Sequence, residues 1–241
     1  YDCTENDFSY TASQLIQYFT ENPVDTLVLI NPDNPTGHCM DADGIKSLLQ
    51  WSKECGINLI MDESFLDFAD TEDLSLLSEQ VLRENRNLYV VKSISKSYGV
   101  PGLRLGILAS GNTDMIEHLK KDVSIWNINS MAEFFMQILD KYKSDYTDSL
   151  RKIKEERSRF LNELCAIKNL KVYPSQANYF MCEILDGISS EELAGRLLKE
   201  NILIKDLTGK IHNGKQYIRI AIRGEEENRR LVEKLKVCMK Q

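Results

Sequence analysis

The chain has 241 residues, 30 of them basic and 37 acidic, for a formal net charge of −7; 42 % are hydrophobic and 28 % charged. These are the proportions of a soluble globular protein that can bury a core as one large domain or two smaller ones, and the acidic balance argues against general nucleic-acid binding, which draws on a surplus of Lys and Arg. No apolar run approaches a bilayer span: the longest, Val24 to Ile30, is broken by Asp25 and Thr26.

In chain order, Thr26 to Ile30 reads as a buried strand, and Asp43 to Glu54 as a helix with Ile45, Leu48, Leu49 and Trp51 on one face. Further strands are expected at Asn58 to Met61, Asn87 to Val91 and Arg104 to Ala109, each apolar enough to be covered on both faces. The alternation of strand and helix predicts an α/β unit with a mostly parallel sheet over residues 1–145. The polar stretch Lys141 to Asp148 reads as a hinge into a smaller α+β domain, residues 146–241. There, Ser149 to Ile167 is an amphipathic helix, followed by strands at Lys171 to Tyr173 and Asn178 to Ile184. Ser189-Ser190-Glu191-Glu192 offers a capping box for the helix to Lys199. Ile202 to Ile204 and Tyr217 to Ile222 read as strands, and Glu225 to Met239 as the final helix.

Six cysteines lie far apart, with no C-x-x-C pair and no His at metal-ligand spacing; they read as reduced thiols of a cytoplasmic protein, with no metal. His38, His118 and His212 are scattered and have no catalytic reading. The polar motifs at strand ends are more informative. Asn31-Pro32-Asp33-Asn34-Pro35-Thr36-Gly37 follows the first strand, and two X-Pro steps and a Gly hold Asn34 at the carboxyl end of the sheet, where open α/β sheets bind ligands. Alone, the segment reads equally as a plain turn. Asp62 closes the next strand, where a carboxylate is costly to bury without a cation or a protonated nitrogen. After a third strand, Ser93, Ser95, Lys96 and Arg104 on Gly-containing loops supply hydroxyls and charge for a phosphate, and Lys96 is a candidate amine nucleophile. Neither the glycine spacing nor the Lys placement fits a Walker A loop.

N-P-x-N-P-T-G, D-E-x-aromatic and S-x-S-K with G-L-R-x-G, in this order, resemble the fold-type I pyridoxal-phosphate enzymes of the class I/II aminotransferase family, in the branch of histidinol-phosphate aminotransferase and threonine-phosphate decarboxylase. Tyr217-Ile218-Arg219-Ile220-Ala221-Ile222-Arg223 is similar to the family's carboxylate-binding strand, so the likeness runs along essentially the whole chain. The resemblance implies pyridoxal 5'-phosphate as cofactor and Lys96 as its Schiff-base lysine and proton carrier. It also implies Asp62 on the pyridine nitrogen, Asn34 on the phenolic oxygen, and Ser93, Ser95 and Arg104 on the phosphate. Arg219 would take the substrate α-carboxylate, a task suited to a planar guanidinium. Phe65 stands where many aminotransferases have a hydrogen-bonding Tyr, and Lys205 where relatives often have Arg for a substrate phosphate or carboxylate. With Pro101-Gly102-Leu103-Arg104, Phe65 resembles the decarboxylase side of the branch. The leading expectation is an aminotransferase converting a small amino acid, phosphorylated or not, to its keto acid. An α-decarboxylase of a phosphorylated amino acid is the alternative, and a non-catalytic domain of this fold is the second. The resemblance further implies a homodimer without nucleic-acid or membrane partners. Against the family, the chain opens partway through the large domain, so an incomplete site with an exposed sheet edge is expected.

Overall fold

The computed structural model describes residues 1–239. Helix α1 (Ala12–Glu21) starts at a reciprocal cap between Thr11 and Gln14. Strand β1 (Thr26–Ile30) leads through the Asn31–Gly37 turn to helix α2 (Ala42–Glu54), whose first turn is capped by the Asp41 carboxylate on the Gly44 N–H. Strand β2 (Asn58–Asp62), helix α3 (Glu79–Glu84) and strand β3 (Leu88–Ser93) follow; the chain then makes one helical turn, α4 (Ile94–Ser97), and returns as β4 (Gly106–Ser110). The sheet order is β1-β2-β3-β4, with the first three parallel and β4 antiparallel to β3. Register places Ile30 beside Asp62 and Asp62 beside Val91, so the carboxyl ends of the three parallel strands lie level.

Burial along these strands alternates. Leu27, Leu29, Leu59, Met61, Leu88 and Val90 are buried with Leu15 of α1 and Ile45, Leu48 and Leu49 of α2. The opposite face is open: Val28 is 59 % exposed and Leu108 45 %. The expectation that both faces would be covered is therefore corrected. An uninterrupted apolar run does not reveal whether cover exists on each side.

Helices α5 (Thr113–Asp122) and α6 (Ser130–Ile138) precede the long α7 (Lys143–Cys165). The expected hinge at 141–148 is thus helical, a 3-10 turn running directly into α7. Polar residues there mark an exposed helix surface. Strands β5 (Leu170–Val172) and β6 (Tyr179–Ile184), helix α8 (Ser190–Lys199), strands β7 (Lys205–Asp206) and β8 (Gln216–Ala221), and helix α9 (Glu225–Cys238) complete the fold. The second sheet is antiparallel in the order β5-β6-β8-β7. One face buries Cys182, Ile218 and Ile220 with Phe160 and Leu164 of α7, Leu193 and Leu197 of α8, and Leu231 and Leu235 of α9. The other face gathers Tyr173, Met181, Leu207 and Tyr217 around Phe8, far away in sequence. Two local expectations change here. Ile202 to Ile204 is loop, with the short strand beginning only at Lys205. The Ser189 box is one-sided: Ser189 accepts from the Glu192 N–H, but the Glu192 carboxylate pairs with Arg196 at 2.6 Å.

The two sheets are joined through Arg157 of α7, whose side chain is 4 % exposed. Its guanidinium donates to the Phe68 carbonyl at 2.6 Å, the Ala177 carbonyl at 3.1 Å and Asp70 Oδ1 at 2.6 Å. Nearby, the Gln176 N–H donates to the Gly37 carbonyl at 2.8 Å. Gly37 has φ +79°, and a Cβ there would lie 2.0 Å from Ser175 Oγ, so both backbone conformation and close approach require glycine.

Two outcomes are expected in urea unfolding. Arg157→Met keeps much of the volume but strands two buried carbonyls, and at about 1–3 kcal/mol per unsatisfied group the loss should be about 2–4 kcal/mol; a loss below ~1 kcal/mol would show that the clamp is dispensable. Gly37→Ala should cost about 1–3 kcal/mol from overpacking and backbone strain, and Ser175→Gly in the same chain should recover part of it.

Candidate active site

The level strand ends bring three polar segments together. At β1, Asp33 Oδ2 accepts from the Thr36 hydroxyl at 2.6 Å, and the Gly37 N–H donates to the Asp33 carbonyl at 2.8 Å, which closes the turn around Asn34. At β2, Asp62 Oδ1 accepts from the Ser64 N–H at 2.8 Å. Ser64 Oγ in turn accepts from the Ser93 N–H at 2.9 Å, tying the β2 and β3 exits together. Asp62 and Ser93 are half-buried on the open face of the sheet.

Lys96 sits in the single turn after β3. Its side chain makes no hydrogen bond or ion pair among the described residues; its ammonium stands 5.8 Å from the centre of the Phe65 ring. Ser95 and Ser97 on either side of it are buried, and both hydroxyls lack a hydrogen-bond partner among the described residues. Below the loop, Lys92 Nζ pairs with Asp67 at 2.6 Å. Burial, the largest single influence, pushes the Asp67 carboxyl up, but the Lys92 bond and charge together with the neighbouring hydroxyls hold the group below its ordinary value. The Ser97 and Tyr146 hydroxyls favour the same charge from outside hydrogen-bond geometry. Tyr146 of α7 stacks on Tyr98 with centroids 4.1 Å apart and planes within 5°. A cavity of about 480 Å³ opens beside Lys96 between Tyr98, Phe135, Leu139 and Tyr146. Asn34, Asp62 and Arg219 do not line it.

The second sheet supplies the cations. Arg219 of β8 donates through Nη1 to Asn34 Oδ1 across 185 positions of sequence. Its guanidinium carbon lies 5.0 Å from the Tyr179 ring centre, and that ring meets Phe65 edge to face at 5.1 Å. Lys205 is paired with Arg219 across β7 and β8, so the two cationic residues occupy facing positions on one sheet face.

Of the residues singled out in the sequence, Asn34 and Arg219 bond directly, Phe65 lies between Lys96 and Tyr179, Lys205 neighbours Arg219, and Asp62 connects through Ser64 to Ser93. Ser95 is beside Lys96, and its hydroxyl has no partner among the described residues. Arg104 is not drawn into the group: it is exposed, with φ 57°, and donates to the Pro101 carbonyl at 3.1 Å. Sequence reasoning missed Tyr179, which reads only as one apolar residue of a strand, and it missed the Lys92–Asp67 pair. A Lys at a strand end 25 residues after an Asp was the available signal for the latter.

The donor set fits pyridoxal phosphate. An amine free of ion pairs, a strand-end carboxylate with one oxygen committed, and the buried Ser95 hydroxyl, without a partner among the described residues, are what an aldehyde, a ring nitrogen and a phosphate call for. Among the described residues no helix is long and apolar enough to cross a membrane.

Comparison with known proteins accords with this geometry. The family profile described as Aminotransferase class I and II matches residues 1–235. An L-serine phosphate decarboxylase from Sulfurospirillum multivorans is 34 % identical over 240 residues, covering 98 % of this chain and 61 % of its own length. A histidinol-phosphate aminotransferase from Carboxydothermus hydrogenoformans is 28 % identical over 230 residues, covering 95 % of this chain and 61 % of its own. The solved structure of a decarboxylase from Sulfurospirillum multivorans superposes with a TM-score of 0.88 at 33 % identity, covering 98 % of this chain and 68 % of that one. This chain spans 36 % to 63 % of the length of eight curated relatives. By the match of its sequence along nearly its whole length, and by its α/β architecture, the chain belongs to the class I and II aminotransferase family of fold-type I, pyridoxal-phosphate-dependent enzymes.

Proposed function

We propose that this chain carries the lysine, the carboxylate and the anion-binding residues of an enzyme that removes the α-carboxylate of an O-phosphorylated amino acid. The observation that carries this reading is the facing pair Lys205 and Arg219, two cations at adjacent positions on one sheet face, which matches a substrate with two anionic groups. Relatives named serine phosphate and threonine-phosphate decarboxylases, at 31 % to 34 % identity, support the choice of reaction.

Pyridoxal phosphate, when bound, supplies an electron sink for the charge left at the substrate α-carbon. Lys96 Nζ anchors the cofactor and moves a proton at the substrate α-carbon; its lack of an ion pair leaves the amine available for both. The Asp62 carboxylate keeps a proton on the ring nitrogen, and the Ser64 N–H fixes its orientation. Because Asn34 Oδ1 accepts from Arg219, its Nδ2 is left as the outward donor. Phe65 packs in the same place without donating. Ser93 and Ser95 are the residues placed to hold phosphate oxygens, for which the buried Ser95 hydroxyl has no partner among the described residues; Arg104 would join them only by leaving its bond to the Pro101 carbonyl. Arg219 receives the α-carboxylate and Lys205 the substrate phosphate. Transamination is the second reading. The same residues serve it, and the relatives named histidinol-phosphate aminotransferase favour it.

The holoenzyme, supplied with O-phospho-L-serine, should release carbon dioxide and O-phosphoethanolamine; a keto acid formed at the expense of an added amino acceptor, with no carbon dioxide, moves the assignment to the second reading. Lys205→Ala should raise KM for the phosphorylated substrate about 10-fold or more, from one lost charge-assisted bond of about 1.5–3 kcal/mol. Equal effects on serine and phosphoserine would refute the two-cation reading. Lys96→Ala should lower kcat by at least about 100-fold and abolish the visible absorbance of the holoenzyme; a wild-type protein without that band points instead to a non-catalytic domain.

A further inference from the structure

We propose that Tyr179 is a positioning residue that sets substrate affinity: its ring is the shelf on which the Arg219 guanidinium lies, and its hydroxyl tethers the Asn34 turn to the second sheet. The inference rests on the reading of Arg219 as the carboxylate-binding residue. Tyr179 opens β6 and is 4 % exposed. Register pairs Tyr179 with Ala221 and Met181 with Arg219, so Tyr179 and Arg219 are diagonal neighbours on one face, a separation that an aromatic ring and a guanidinium can bridge. They do so at 5.0 Å from guanidinium carbon to ring centre. The far side of the residue is equally engaged. Its hydroxyl donates to the Asp33 carbonyl at 2.7 Å, and its ring edge meets Phe65, which stands 5.8 Å from the Lys96 ammonium.

One side chain therefore touches three elements that must hold a fixed spacing: the turn carrying Asn34, the loop after Asp62, and strand β8. Arg219 has a long side chain with several rotamers, and a carboxylate can take both prongs of the fork only when that fork is fixed. Asn34 fixes one nitrogen and the Tyr179 ring fixes the plane, leaving the other N–H groups for the ligand. Burial, then the Asp33 carboxylate, raise the Tyr179 hydroxyl well above its ordinary range, so it remains a donor to the Asp33 carbonyl at any working pH. The residue touches no reacting atom.

The test uses the holoenzyme and O-phospho-L-serine. Tyr179→Leu removes ring and hydroxyl; KM should rise about 3- to 30-fold, the range of a partly desolvated cation–π contact, with kcat within twofold of wild type. Tyr179→Phe keeps the ring, so KM should return to within about twofold of wild type. Amide hydrogen exchange across residues 33–37 should speed up in both variants, because both lose the tether. In an Arg219→Gln background, Tyr179→Leu should raise KM no further. A Leu variant with unchanged KM, or one that raises KM equally when Arg219 is already Gln, overturns the shelf. Unchanged exchange in the Phe variant overturns the tether, and that variant decides it even where the Leu variant fails to fold. If Arg219→Gln alone leaves KM unaltered, the carboxylate role of Arg219 falls, while the exchange measurement still decides whether Tyr179 holds the turn.

Discussion

The buried guanidinium of Arg157 is the constraint on which the site depends. Asn34 lies in the turn that follows β1 of the first sheet and Arg219 in the second sheet, and their bond forms only if the sheets dock at one distance and angle. Arg157 fixes that docking by bonding the carbonyls of Phe68 and Ala177, one from each side, with Asp70 completing the fork. Burial pulls the Arg157 pKa down, and Asp70 only partly restores it; the guanidinium nevertheless remains charged because its ordinary value is so far above neutrality. A lysine could not reproduce these contacts, since they need several donors in a planar spread. The approach of Gly37 to Ser175 is the steric counterpart, a contact that any Cβ would open.

Charge is handled differently on the two sides of the interface. Beneath the Lys96 loop, Lys92 and Asp67 neutralise each other at a side-chain exposure of 13 % and 20 %, without drawing on Lys96. Glu63, almost fully buried, is satisfied by the Ser75 hydroxyl and the Leu76 N–H, yet burial still raises its pKa. Across the interface, Lys205 and Arg219 face the same side, and among the described residues no carboxylate bonds to either. Glu63 and Asp67 are paired within the protein, whereas Arg219 is held by an amide and an aromatic ring.

Much of this was legible in the sequence, and for identifiable reasons. Strand β1 at Thr26–Ile30, helix α2 and helix α9 follow apolar spacing closely. Asn34, Asp62 and Lys96 could be placed at strand ends because each directly follows a β-rich run. Local polarity misled at 141–148, where exposed polar residues belong to a helix, and at Ile202 to Ile204, where an apolar triplet is loop. Composition reports exposure, and both helix surfaces and loops are exposed.

The sequence by itself determined the α/β class, the positions of the candidate site residues along the chain, and the family, because strand periodicity and short polar motifs are local properties. Only the tertiary structure decided which groups meet. The Asn34–Arg219 bond, the stacking of Tyr146 on Tyr98, and the bracing of Arg219 by Tyr179 join residues from separate elements, and their geometry depends on sheet register and on the docking fixed by Arg157. Tyr179 illustrates the difference: in the sequence it is one more apolar position in a strand, and in the fold it touches the Asn34 turn, Phe65 and Arg219. Long-range packing assigns such roles, and no local pattern encodes it.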